Sequence, residues 1–235
     1  MTHYTGSVPV ENLHRWKPEA TQRLLGYTIG ISDEDWHKPS PLPGWSRAHL
    51  ATHLSRNADH LRLLAGAADA GLPRPVVPSR AERLAELERG ADRGGLDLQI
   101  DLDTSAGALQ KTIERLTRWD ATVRLRGSDW PLAVIPLVRL HEVCIHHMDL
   151  DCEFGPDAVD PAAAAWLLRW VLDLLVDADL PSLRLEGDSL VARLGSGGQT
   201  RTVSGSDARL WAWLSGRLPA DAVGGADGLQ PPLLA

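Results

Sequence analysis

The sequence predicts an α + α/β protein: an N-terminal four-helix bundle over residues 1–154 and a small α/β domain over 155–235. Three observations carry this. Before residue 154, long segments place apolar residues three and four positions apart, the period of a helix with one buried face. Proline- and glycine-rich loops separate them. After FGPDAVDP the texture changes to one strongly apolar helical run, three short alternating runs and a last capped helix, which reads as a mixed α/β unit.

The elements follow in order. Residues 10–30 have helical spacing, and SDEDWHKPSPLPGWS after them reads as a loop. In SRAHLATHLSRNADHLRLLAGAADAG, Ser46 is placed to cap a helix over about 46–70, with Gly66 or Gly71 marking the exit. LPRPVVPS is too rich in proline for helix or central strand. Helical spacing returns over 79–93 and 103–122, interrupted by Gly94-Gly95. RGSDWP reads as a turn, and 133–153 as a helix with Pro136 in its first turn, where the missing amide proton costs little. Four long helices joined by loops pack most simply as an antiparallel bundle. Beyond Asp160-Pro161, the run 161–178 is apolar nearly all round. SLRLE, SLVARL and TRTVS alternate like strands, and SDARLWAWLSGR ends a final helix at Gly216.

Composition narrows the function. With 235 residues, 43% of them hydrophobic, the chain can build a real core without disulfides. A formal charge of −7 from 31 acids against 24 bases offers no positive stripe for nucleic acid or an anionic membrane. Small-molecule chemistry is the expectation. MTHYTGSVPVENLHRW lacks the basic-then-apolar pattern of a signal peptide, and no run approaches the ~20 apolar residues of a membrane span, so a soluble, cytoplasmic protein is expected. Cys144 and Cys152 lack paired CxxC spacing and are expected to be buried thiols.

The chemistry concentrates in RLHEVCIHHMDLD, residues 139–151. Each helical residue turns by about 100°, so Glu142 and His146, four apart, share a face. His141 does not share that face with His146, which excludes the HExxH protease arrangement. Cys144 points across the helix, His147 falls off the site, and Asp149 is close enough to support the His146 ring. On the second helix His49 and His53 are four apart, and His60 follows seven later. A Glu and a His on one bundle helix facing histidine on another is how bundle cores build metal sites. Two imidazoles and one carboxylate suit zinc with an open coordination position. Spacing does not choose between His49 and His53.

GWSRAHLATHLSRNADHLRLL, followed about ninety residues later by RLHEVCIHHMDL, resembles the mycothiol-dependent maleylpyruvate isomerases over most of the chain. The resemblance implies a DinB-like metal-binding bundle and a sterol-carrier-like C-terminal α/β domain. It implies His53, Glu142 and His146 as the metal ligands, with His49 either structural or supporting the ligands from behind. By the same match Arg217, in the Gly-Arg pair after the last helix, carries a catalytic role, and Arg83, in PSRAERLAELERGADR, lies near the site. The implied cofactors are a divalent metal, zinc, and mycothiol as thiol cosubstrate. The implied reaction is cis–trans isomerisation: a thiolate adds to an activated alkene, the former double bond rotates, and elimination returns the thiol. Arg217 would reach over from the second domain to hold a substrate carboxylate and stabilise the enolate. A mycothiol S-transferase acting on an electrophile would use the same parts. A non-catalytic carrier enclosing an apolar ligand, and a metal-dependent hydrolase, are further alternatives. One local departure stands out: RGSDWPLAV is shorter than the polar, Gly-rich loop that family members carry before the last bundle helix.

Overall fold

Capping and close packing set the helix boundaries in the computed structural model, which describes residues 8–234. Eight helices appear in order: α1 Val10–Thr28, α2 Asp33–Trp36, α3 Arg47–Asp69, α4 Arg80–Ala91, α5 Gly95–Ile113, α6 Ile135–Asp149, α7 Pro161–Leu174 and α8 Asp207–Leu214. The strands are β1 Thr122–Leu125, β2 Ser128–Pro131, β3 Leu183–Glu186, β4 Val191–Leu194 and β5 Arg201–Ser204. The described residues fall into two compact units, Pro9–Cys152 and a second beginning at Glu153. No described helix is long and apolar enough to cross a membrane.

In the first unit α3 packs most extensively on α5 and also on α6, while α1 packs on α6 and on α5. Trp36, Leu50, Leu54, Leu98, Leu102 and Val143 are at most 2% exposed and form one cluster between these helices. α6 is the most enclosed of the α-helices, with every residue but Met148 buried. Arg139 anchors it to α3 by donating from Nη1 to the Leu54 carbonyl at 2.8 Å and to Asn57 Oδ1 at 2.9 Å. At the other end of α6, Arg47 of α3 donates from Nε to the carbonyl of Leu150 at 2.9 Å, satisfying one of the acceptors a helix end leaves open. These two arginines fix how α6 faces α3.

Three local readings of the sequence change. Helical structure begins at Gly95, earlier than 103, and ends at Ile113. The Asp33 carboxylate accepts from the Gly95 amide at 2.8 Å and so caps α5 from outside it. The loop after α1 contains the short helix α2, started by Ser32, whose side chain accepts from the Asp35 amide. RGSDWP is the end of a two-stranded hairpin: β1 pairs antiparallel with β2, Leu125 opposite Ser128, leaving Arg126-Gly127 as a two-residue turn. A single 3₁₀ turn, Leu132–Val134, then leads into α6.

In the second unit, Asp160 caps α7 by accepting from the amides of Ala162 and Ala163. The sheet runs β4-β3-β5, with β3 antiparallel to β4 and parallel to β5. Leu183, Leu185, Ala192, Leu194 and Val203 are its buried positions, the alternation expected of a sheet with one covered face. α8, capped by Ser206, packs on α7.

Candidate metal centre

α6 carries an unusual number of buried ionisable groups: Arg139, His141, Glu142, His146, His147 and Asp149 are each at most 5% exposed. Charged groups are rarely fully buried unless paired or assigned a task. Glu142 and His146 sit one turn apart on the face turned toward α3, and His53 meets them from α3. One ligand atom from each of His53, Glu142 and His146 lies within 4.8 Å of the others, the one such group among the described residues.

The contacts are specific. His53 Nε2 is 3.0 Å from Glu142 Oε2, and His146 Nε2 is 3.5 Å from the same oxygen. His146 Nδ1 lies 2.8 Å from Asp149 Oδ2, so the Asp149 carboxylate holds the ring from behind. Its Nε2 is buried and makes no hydrogen bond. A buried ring nitrogen without a hydrogen-bond partner, a second imidazole and a carboxylate gathered at one point are the kind of donor set that suits a divalent cation, and these residues fit one.

Electrostatics agree with this. Burial alone would push the Glu142 carboxyl up, but contacts with His146 and His53 hold it well below the usual carboxylate range, so it is ionised. Burial also disfavours the charged form of His146, yet Asp149 and Glu142 outweigh it and raise its pKa. The two buried carboxylates thus create a demand for positive charge at one spot. Burial lowers the pKa of His53, keeping its imidazole neutral.

The surrounding residues shape access. Trp45 tilts over His53 with ring centroids 5.3 Å apart and stacks on His146 at 6.3 Å. His49 faces elsewhere: it occupies the third position of α3, where its Nδ1 accepts from the Ser46 amide at 3.1 Å while Ser46 Oγ accepts from the His49 amide. That reciprocal box occupies the imidazole in holding the helix end. His147 packs near Tyr27, and burial pushes its pKa down to about 4. Burial pushes the Cys144 thiol up to about 12, far from a thiolate at neutral pH. The hairpin turn brings Arg126 Nη2 to 3.8 Å from Glu142 Oε1.

Two arginines were also expected at the site. Arg83 is exposed on α4 and donates to the carbonyl of Pro78, just before its own helix. Arg217 belongs to the second unit, where its guanidinium donates to the carbonyls of Ser215 and Leu234. The sequence reading missed Trp45 and Arg126. The signal for Arg126 was present: TVRL-RG-SDWP has alternating residues on one side of a two-residue loop containing glycine, the pattern of a tight hairpin.

Fold and site together define a helical domain that brings two imidazoles and a carboxylate from two helices to one largely buried point. The chain belongs to the family described as the mycothiol maleylpyruvate isomerase N-terminal domain, which matches residues 18–151 and so spans the whole ligand set. Its fold is that of two crystal structures, the mycothiol-dependent maleylpyruvate isomerase and a histidine-to-alanine mutant of it. The TM-scores are 0.86 and 0.85, at 22% identity, over 99% of each chain. No curated protein matches.

Proposed function

We propose that this protein is a metal-dependent, mycothiol-using isomerase that converts a cis double bond of an activated, carboxylated alkene such as maleylpyruvate to the trans form. The observation that carries the reading is the meeting of His53, Glu142 and His146 inside the segment that matches the family. In this reading the N-terminal domain, 1–154, is a DinB-like four-helix bundle made by α1, α3, α5 and α6. The C-terminal domain, 155–235, is sterol-carrier-like. The pairwise packing of those four helices and the separate compactness of the two units support the assignment. Two free cysteines suit a reducing cytoplasm.

Rotation about a double bond requires that it become single, so a nucleophile must add and later leave. Cys144 is held protonated and buried, and the Cys152 thiol donates to the carbonyl of His147 at 3.4 Å, which favours an external thiol for the role. A divalent cation held by His53, Glu142 and His146, best suited by zinc, supplies the lowering of a thiol's pKa from its ordinary value near 8.5. Asp149 fixes the His146 ring so that Nε2 faces the site, and Glu142 contributes the charge that a cation needs in a buried place. Trp45 covers one side and limits water. The thiol sulfur adds to the alkene, the carbon–carbon bond rotates, and elimination restores the alkene and the thiol. Arg217 and Arg83 are the groups we assign to substrate carboxylates and to the enolate formed on addition.

Thiol-dependent conversion of maleylpyruvate by zinc-loaded protein is the test, and absence of turnover with mycothiol eliminates the isomerase. Elemental analysis should find one metal per chain, lost in Glu142→Ala. A second reading, a mycothiol S-transferase, is favoured by the Arg126-Gly127 turn, only two residues long, where the family resemblance implies a longer loop. Stable thiol adducts from a panel of electrophiles would distinguish it. The carrier alternative has less support, because Leu167, Leu168, Val171 and Leu172 of α7 are buried.

A further inference from the structure

The turn between β1 and β2 is built in an unusual way. Arg126 has φ 49° and Gly127 φ 88°, so both residues lie in the left-handed region. A two-residue loop with two positive φ values is the mirror-image turn that suits strand twist, and Asn, Asp or Gly ordinarily occupies its first position. An arginine there is strained by its Cβ, and backbone strain of this kind gathers at sites where a side chain must be aimed. This side chain is aimed at the candidate cation site: Nη2 approaches Glu142 Oε1 at 3.8 Å, whereas both histidines lie nearest the other carboxylate oxygen, Oε2. That distance is a charge contact and not a hydrogen bond, so the donors on that nitrogen remain available. The Arg126 side chain is 49% exposed, whereas Glu142 is 7% exposed. Its guanidinium therefore stands at the boundary between the buried candidate ligands and solvent.

The hairpin is well held. β1 packs on α3, and the Leu132 amide donates to the Ala121 carbonyl at 2.7 Å to extend the pairing toward α6. Arg126 is thus delivered on a short, fixed support, and its planar fork is suited to a carboxylate. A cation held by Glu142 would compete for the carboxylate's charge and leave the Arg126 guanidinium to pair with an anionic group.

We propose that Arg126 is a substrate-binding residue that sets the preference of this site for carboxylated electrophiles, by holding one substrate carboxylate at the edge of the His53/Glu142/His146 cluster. The proposal rests on the catalytic reading above, and it adds a cation from the helical unit itself to those assigned by resemblance.

The test uses zinc-loaded full-length protein with two variants. Arg126→Asn keeps a residue that the turn favours, and Arg126→Lys keeps the charge. Succinate, a saturated dicarboxylate that cannot accept the thiol, is titrated calorimetrically. The wild type should bind it about tenfold or more tightly than Arg126→Asn, with Arg126→Lys between them. With mycothiol, the loss of kcat/KM in Arg126→Asn should be about tenfold larger for maleylpyruvate than for an uncharged electrophile. Equal succinate affinity in wild type and Arg126→Asn, no succinate binding by the wild type, or equal losses on both electrophiles would each overturn the proposal. The two readings fail separately. Arg126-dependent succinate binding without mycothiol turnover sinks the isomerase alone, and turnover untouched by Arg126→Asn sinks the role of Arg126 alone.

Discussion

Buried charge has opposite consequences at two positions. Asp149 is 1% exposed, and it is placed behind His146, where it fixes which ring nitrogen faces the site. Asp149→Asn keeps an acceptor but removes the charge that makes the imidazole a better ligand. Zinc affinity, read by competition with a chromophoric chelator, should fall by about 10–100-fold while the fold is retained. Lys17 of α1 is 3% exposed, and burial first, then the nearby Arg139, lower its pKa to about 8. The unfolded chain holds the proton up to about pH 10.4, so between about pH 8 and that value the unfolded state binds more protons. Stability due to this group therefore rises with pH across that window, and below it the buried ammonium is a full liability. Lys17→Met should stabilise the protein at pH 7 by up to about 3 kcal/mol, with the advantage shrinking above pH 8. Paired denaturant titrations at pH 7 and pH 10 check this, and a constant difference would show that burial of the charge is not the cause.

Elements were legible where a local rule acts alone. Ser46, Asp160 and Ser206 cap α3, α7 and α8 as their positions suggest, and the period-two runs form β3, β4 and β5. The i, i+4 rule likewise suffices to put Glu142 and His146 on one face. What spacing could not decide was set by partners distant in sequence. His49 and His53 are equivalent by period, and only the capping box shows that His49 is occupied elsewhere. The start of α5 was misplaced because Gly94-Gly95 looks like a break. An added Cβ at Gly95 would lie 2.5 Å from Trp36 Cδ1 and 2.7 Å from Asp33 Oδ1, so the glycine permits α2 to close on α5. Gly95→Ala should cost about 1–3 kcal/mol, seen as a lower denaturant midpoint at unchanged slope, because the fully buried Trp36 has nowhere to retreat. The hairpin's two-residue spacing and its glycine are written in the sequence, but its turn carries Arg where such turns ordinarily carry Asn, Asp or Gly, which masks the pattern.

At the scale of the molecule, the candidate metal centre and the residues that orient it all fall within Pro9–Cys152. His53, Glu142, His146, Asp149, Trp45 and Arg126 are there, as are Arg139 and Arg47, which fix α6 against α3. Arg217 falls in the other unit. If each unit is stabilised by its own core, cation binding and turnover should separate when the chain is divided. The segment 9–152 has the size of an ordinary independent domain and the cluster around Leu50, Leu54, Leu98 and Leu102 to hold it. Expressed alone, it should bind zinc with an affinity within about threefold of the full chain, since no ligand has been removed. On the proposed mechanism, mycothiol-dependent turnover should fall by about 100-fold or more, since the guanidinium of Arg217 that the proposal assigns to the developing charge has been taken away. Zinc titration and circular dichroism on the same preparation measure both arms. A folded segment that binds zinc and retains full turnover would remove Arg217 from the reaction, whereas a folded segment unable to bind zinc would mean that the second unit completes the metal centre.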